Sequence, residues 1–186
     1  IQWEDFSKQN AFSILERYRA DILSFNDDIQ GTGAMALAGL LSALRISNHA
    51  LCDQVFAVFG AGAGGVGIAH QIYVALLREG LSTEEAKAKI YTVDSRGLIT
   101  EGRDALDEYK KSFAHDASLV STWKLANPPQ IGLLDTLINA RATALIGVSG
   151  QPNMITAKMT EALLANTSRP LIFPLSNPTS KTEAHP

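Results

Sequence analysis

Two pairs of adjacent acids and one run of glycines are the parts of this sequence best suited to chemistry. Glu4 and Asp5 stand in "IQWEDF", and Asp27 and Asp28 in "FNDDIQGTG", just ahead of a strongly apolar stretch. Like charges side by side repel, so each pair needs a reason. Asp27 and Asp28 either cap the helix that follows, where acids favour the positive end, or gather with other acids around a cation. Thr32 is itself a candidate cap, which makes two further acids redundant in that role. Three or four carboxylates converging near the ends of parallel strands suit a hard divalent cation with oxygen ligands, Mg²⁺ or Mn²⁺.

The glycine run "VFAVFGAGAGGVGIA" places Gly60, Ala61, Gly62, Gly65 and Gly67 between an apolar strand and a helical stretch. Gly60, Gly62 and Gly65 satisfy the pattern G-x-G-x-x-G. In that pattern the first glycine permits the tight turn and the second lets the backbone approach a pyrophosphate. The third, here Gly65 or Gly67, allows close packing of helix on strand. Free N–H groups at the helix start then bind phosphate.

The next strand, "KIYTVDS", ends in Asp94, an acid placed to accept hydrogen bonds from ribose hydroxyls. It lies further on than the usual ~20 residues, because "LREGLSTEEAKAK" lengthens the crossover. Dinucleotide binding follows. A 2′-phosphate beside Asp94 would be repelled, which favours NAD; Arg96, or Lys110 and Lys111, would instead neutralise it and admit NADP. Ser149 in "IGVSGQP" sits at a strand end, where open α/β sheets bind ligands, so it either lines the cofactor cleft or makes a loop turn.

These groups need a scaffold. Residues 7–20 have helical spacing, with Phe12, Leu15 and Tyr18 on one face. Residues 33–45 read as a helix apolar on most sides and therefore buried. Strands are expected within 54–62 and 89–95, and a helix over 65–80 ended by Gly80. "STEE" at 82–85 resembles a capping box. Residues 101–130 are polar and irregular, with Pro128-Pro129 as a breaker. "IGLLDTLINAR", "TALIGVSG", "ITAKMTEALLANT" and "RPLIFPLSNPT" then alternate helix and strand. Such alternation means βαβ units, hence an α/β, Rossmann-type doubly wound and mostly parallel sheet with helices on both faces.

The chain has 186 residues, 46% of them hydrophobic, enough for one core. Its net charge of -3 leaves no basic footprint for nucleic acid or polybasic membrane patch. A single cysteine, Cys52, excludes an internal disulfide and a Cys-based metal cluster, and suggests a reducing, cytoplasmic compartment. No apolar run reaches the ~20 residues needed to span a bilayer. "IQWEDF" reads as the end of a buried strand, which predicts a preceding segment, and "TSKTEAHP" offers no convincing terminal element. Trp3 and Trp123 read as packing residues; His49, His70, His115 and His185 show no ligand spacing.

"IQWEDF", "FNDDIQGT", "GAGAGGVGIA", "VDSRGLI" and "LSNPTS" occur in the order and spacing of the malic enzymes, and the chain resembles the nicotinamide-binding domain of that family. The resemblance implies residues 1–186 as an NAD(P)-binding domain, with 1–30 carrying metal-site acids and an N-terminal catalytic domain absent. It implies Glu4, Asp5 and Asp28 as divalent-metal ligands, Asp27 as a catalytic-site acid beside them, and Asn177 against the substrate carboxylate or nicotinamide. It further implies oxidative decarboxylation of L-malate to pyruvate and CO₂, with hydride transfer to NAD or NADP, and a homodimer or tetramer. The family's proton-transferring Lys and Tyr belong to the N-terminal part. Lys8, Tyr18 and Tyr91 do not match them, so the chain is expected to bind dinucleotide but to be inactive alone. Malolactic enzymes carry the same motifs and release lactate, which is the alternative, as is a non-catalytic NAD(P)-binding module.

Overall fold

A computed structural model describes residues 1–185, with the side chain of Lys8 outside that description. In chain order the elements are β1 (Gln2–Trp3), α1 (Lys8–Tyr18), β2 (Phe25–Asn26), a π turn (Asp27–Gly31), α2 (Thr32–Ser47), β3 (Phe56–Phe59), α3 (Ala63–Arg78), α4 (Thr83–Ala88), β4 (Ile90–Asp94), β5 (Gly97–Leu98), α5 (Glu108–Lys111), α6 (Ala117–Val120), α7 (Leu133–Asn139), β6 (Ala144–Gly147), α8 (Ala157–Asn166) and β7 (Leu171–Pro174).

Five strands form one sheet in the order β5-β4-β3-β6-β7. Its three long pairings, β3–β4, β3–β6 and β6–β7, are parallel, and β5 is a short antiparallel edge on β4. The parallel register aligns Phe59 with Val93 and Gly147, and Gly147 with Pro174. The loops after β3, β4, β6 and β7 therefore leave at one edge. The strand order reverses direction between β3 and β6, and ligands of open α/β sheets bind in the crevice at such a reversal.

Alternation along β3 sorts the core. Phe56 and Val58 face α2 and α3 with Leu40, Leu44, Ile68 and Ile72, whereas Ala57 and Phe59 face α7 and α8 with Leu137, Leu145 and Leu163. Each fully buried large apolar side chain contributes about 1.5–3 kcal/mol relative to exposure. Ser82 and Glu85 form the expected capping box at α4. Trp3 packs against Phe6 and Tyr18, and Trp123 against Tyr91.

Four expectations need correction. "IQWEDF" does form a strand, but β1 pairs only with β2 in a separate two-stranded sheet, and Ile1 and Phe25 stay exposed. The α2 helix is not buried on most sides: Met35 and Ile46 are 75% and 76% exposed, because α3 and the sheet cover only the Ala36, Leu40 and Leu44 stripe. Counting the π turn, the helical stretch Asp27–Ser47 has 21 residues and is, by length and composition alone, apolar enough to cross a membrane. Finally, the tail does have structure: a 3₁₀ turn at Thr179–Lys181 leads into Thr182 and Glu183, both buried.

Two close approaches bring α3 into register. A Cβ on Gly65 would fall on the Gly60 peptide, with the Gly60 carbonyl carbon at 2.9 Å. A Cβ on Gly67 would fall on the Ile29 peptide of the π turn, with its carbonyl carbon at 2.8 Å. The two glycines that the sequence could not distinguish thus have different partners: Gly65 seats the helix on the strand-end loop, and Gly67 seats the π turn on the helix. Gly67→Ala is expected to lower stability by about 1–3 kcal/mol, the usual range for overpacking, read as a loss of thermal midpoint by circular dichroism. An unchanged midpoint would refute the close contact.

Candidate cofactor and metal-acid site

The cleft at the strand-order reversal has a volume of about 250 Å³ and is lined by Gly60, Ala61, Gly62, Asp94, Lys110, Ser149 and Gln151 among others. Gly60 has φ +117, in the left-handed region that favours glycine, and a Cβ there would lie 2.7 Å from the Ser149 nitrogen. Gly62 is extended and immediately precedes α3, and a Cβ on it would meet nothing within 4 Å. The backbone can therefore be approached there, beside the first N–H groups of a 16-residue helix. Gly65 and Gly67 lie behind this surface as packing residues; Gly67 lines a different cavity, near Phe12 and His70.

Asp94 closes the β4 flank of the cleft. Its Oδ1 accepts the Arg96 backbone N–H at 2.9 Å, and its Oδ2 accepts from the Arg103 guanidinium and from Lys110 Nζ at 3.1 Å. Lys110 also pairs with Asp107 at 3.1 Å. Burial pushes the Asp94 carboxyl up, but the hydrogen bonds from Arg103, Arg96 and Lys110 together outweigh it and hold the group below its ordinary value. A carboxylate has about four lone-pair sites, so Asp94 keeps one on Oδ1 for a ribose hydroxyl.

Of the three cations raised from sequence, only Lys110 reaches the cleft. Arg96 donates to the carbonyls of Asp104 and Ala105, and Lys111 pairs with Glu108. Arg103, which the sequence reading missed, is the principal partner of Asp94. Asp94 does not present an uncompensated charge, so its repulsion of a 2′-phosphate is weaker than the sequence suggested.

On the β6 flank Ser149 lines the cleft, as one of the two sequence readings held. Its hydroxyl is already committed, donating to Glu183 Oε1 at 2.8 Å and accepting the Gln151 N–H at 3.1 Å. Glu183 is another residue that sequence reasoning missed.

The acids of the π turn are not the caps. Asn26, fully buried, accepts the Ile29 N–H on Oδ1 at 2.9 Å, and Thr32 has helical dihedrals inside a continuous helix. Asp27 and Asn177, far apart in sequence, line one cavity of about 430 Å³ with Gly31, Thr32 and Phe173. Asp28 Oδ2 accepts the Asp5 backbone N–H at 3.1 Å, which brings two of the three expected ligands side by side. Asp5 has φ 60, in the left-handed region, which turns the chain there. Glu4 instead accepts from Gln2 Nε2 at 3.3 Å. Among the described residues no three Asp, Glu, His or Cys side chains converge as a metal set. The donor chemistry suits a hard cation, but the three-acid set is not gathered.

Residues 29–186 match the family described as malic enzyme, NAD binding domain. Over 186 residues, all of this chain and 33% of each relative, the chain is 45% identical to the NAD-dependent malic enzymes of Pectobacterium carotovorum subsp. carotovorum and Acinetobacter baylyi. It is also 44% identical, over 185 residues, to the malolactic enzyme of Leuconostoc mesenteroides, covering 99% of this chain and 33% of that one. The crystal structure of the NAD-dependent malic enzyme from Thermotoga maritima superposes with a TM-score of 0.73 at 26% identity, covering 97% of this chain and 43% of that chain. The malic enzyme from Pyrococcus horikoshii gives 0.67 at 30% identity, over 97% and 39%. The chain thus spans about a third of the length of the curated relatives it matches.

The depressed Asp94 carboxyl has a pH consequence. Its ionised form is stabilised in the folded state, so its contribution is present above the unfolded value, about 3.8, and is lost as pH falls through the lower folded value. Acid titration of the thermal midpoint should show a loss below about pH 4 that Asp94→Asn reduces. An identical acid slope in D94N would remove Asp94 from that role.

Proposed function

The chain belongs to the malic enzyme family, as its NAD-binding domain, and from that premise we propose that it is the cofactor-binding third of an enzyme that oxidatively decarboxylates L-malate to pyruvate and CO₂. The single observation that carries the reading is the joint placement of the Gly60–Gly62 turn, Asp94 and Ser149 around one cleft at the sheet's reversal point.

Bound NAD supplies the hydride acceptor for oxidation at malate C2. The chain's own residues bind and orient. The α3 N-terminus and the Gly60–Gly62 turn hold pyrophosphate, Asp94 accepts from the adenosine ribose, and the β6–β7 flank faces the nicotinamide half. Asp27 and Asn177 share the cavity in which a malate carboxylate and the nicotinamide would be aligned, a positioning effect. A divalent cation, Mg²⁺ or Mn²⁺, with Glu4, Asp5 and Asp28 as ligands belongs to the same reading; the Asp5–Asp28 hydrogen bond supports that pair, and Glu4 would have to turn from Gln2 to complete the set. So are residues 1–186 as one domain, with 1–30 bearing those acids, a cytoplasmic location, and a dimer or tetramer. The exposed Met35 and Ile46 on α2 support assembly.

A general acid–base pair is not evident around this site. Tyr18 stacks on Trp3, and Tyr91 is buried under the His115 ring at 4.2 Å; the side chain of Lys8 lies outside the described residues. The chain alone is therefore expected to show no malate-dependent NADH formation. Lactate release by the parent enzyme is the second reading, favoured by the 44% identity to a malolactic enzyme; chromatography of the product separates lactate from pyruvate.

Fluorescence titration tests the cofactor assignment. NADH should bind about tenfold more tightly than NADPH, and Asp94→Asn should cost NADH about 1.5 kcal/mol, the lower end for a hydrogen bond to a charged group. Tighter NADPH binding would transfer the deciding role to the Lys110 cation, and no binding of either would overturn the reading of the glycine turn.

A further inference from the structure

Glu183 is fully buried in the tail, and its carboxylate accepts five hydrogen bonds. Oε1 takes the Ser149 N–H at 2.6 Å, the Ser149 hydroxyl at 2.8 Å, the Gly150 N–H at 3.2 Å and the Ser176 hydroxyl at 2.6 Å. Oε2 takes the Ser176 N–H at 3.4 Å. The socket has a shape as well as a charge preference. A Cβ on Gly147, the last residue of β6, would lie 2.9 Å from Glu183 Cγ and Cδ. The backbone on either side of the acid is anchored too, with the Thr182 and Glu183 carbonyls accepting the Asn153 and Ile155 N–H groups.

This arrangement reaches the cleft in two directions. Ser149 forms the wall against which Gly60 turns, its nitrogen 2.7 Å from where a Gly60 Cβ would stand. Ser176 precedes Asn177, and its hydroxyl also accepts the Gly150 N–H at 2.9 Å. The loops after β6 and β7 have no ladder of their own beyond Gly147 and Pro174. Past the sheet edge they are joined by the direct Gly150–Ser176 bond and by the Glu183 carboxylate, which alone accepts from donors on both loops.

Resting on the dinucleotide reading above, we propose that Glu183 is a positioning residue that sets the nicotinamide-side wall of the cofactor cleft by tying the Ser149–Gly150 loop to the Ser176–Asn177 loop. Glu183 does not touch the cofactor. It acts through Ser149 and Ser176, and only on the β6–β7 flank; the adenosine flank is held separately by Asp94, Arg103 and Lys110. Hydrogen bonds from Ser176 and Ser149 outweigh the effect of burial and keep the carboxyl below its ordinary value, consistent with an anion among donors. Glutamine is a poor replacement, because its NH₂ would face a donor.

The two-flank arrangement supplies a test that a merely structural role would not pass. In this chain, E183Q should raise the NADH dissociation constant about tenfold while leaving that of AMP, which reaches only the Asp94 flank, within twofold. Circular dichroism would check that each variant is folded. S176A, which removes one donor and keeps the charge, should give the same split at about threefold, and it decides the matter if E183Q does not fold. An NADH constant within twofold of the parent in the deciding variant overturns the proposal, as does equal weakening of NADH and AMP. Failure of the unmodified chain to bind NADH would instead sink the dinucleotide reading itself, and this inference with it.

Discussion

The site depends on backbone meeting backbone at the end of β3. Gly60 turns against the Val148–Ser149 peptide, Gly65 lies on the Gly60 peptide, and Gly67 lies on Ile29. None of these contacts leaves room for a methyl group. Because the three stack in sequence, the first turn of α3 stands directly behind the cleft, and the π turn with its two acids is drawn against the same helix. Were α3 displaced outward by a side chain, its N–H groups and the acids of the π turn would both leave the edge where the strand loops gather. The apolar core fixes the sheet; these contacts fix the chemistry relative to it.

Two carboxylates, Asp94 in the cleft and Glu183 buried behind its Ser149 wall, are held by different means, and the difference follows their surroundings. Asp94 lies beside a guanidinium and an ammonium, which compensate its charge and leave one acceptor site open. Among the described residues Glu183 has no cation as a hydrogen-bond or ion-pair partner, and it is held by hydroxyl and backbone donors. A buried carboxylate without either would be costly, since desolvation of an unpaired ion is not repaid. The flank that keeps an open acceptor is the one suited to ribose. The flank whose acceptors are filled serves to join loops.

A division of labour also resolves the run of polar residues before α2. Asn26 caps the helix from a fully buried position, with its N–H donating to Gln30 Oε1 at 2.9 Å. That releases Asp27 toward the cavity shared with Asn177 and Asp28 toward Asp5. Side chains at three successive positions thus serve three tasks at the start of the π turn, a feature frequent at functional sites.

The sheet, the alternation of its strands, the glycine turn and the capping box at Ser82–Glu85 were all legible in the sequence, because local spacing and residue type determine them. Asp94 and Ser149 could be named for the same reason: each ends a recognisable strand. What tertiary structure alone decided lies between segments distant in the chain. Arg103 and Lys110 come from an irregular stretch without periodicity, and only the fold of that stretch returns them to Asp94. Asp27 and Asn177 line one cavity because β7 lies at the sheet edge against α2. Glu183 stands in a polar tail whose composition suggests exposure, yet a missing side chain at Gly147 and the hydroxyls of Ser149 and Ser176 make a socket in which its charge is satisfied. Periodicity reports which face of an element is buried; it carries no information about which distant donor will meet a given acid.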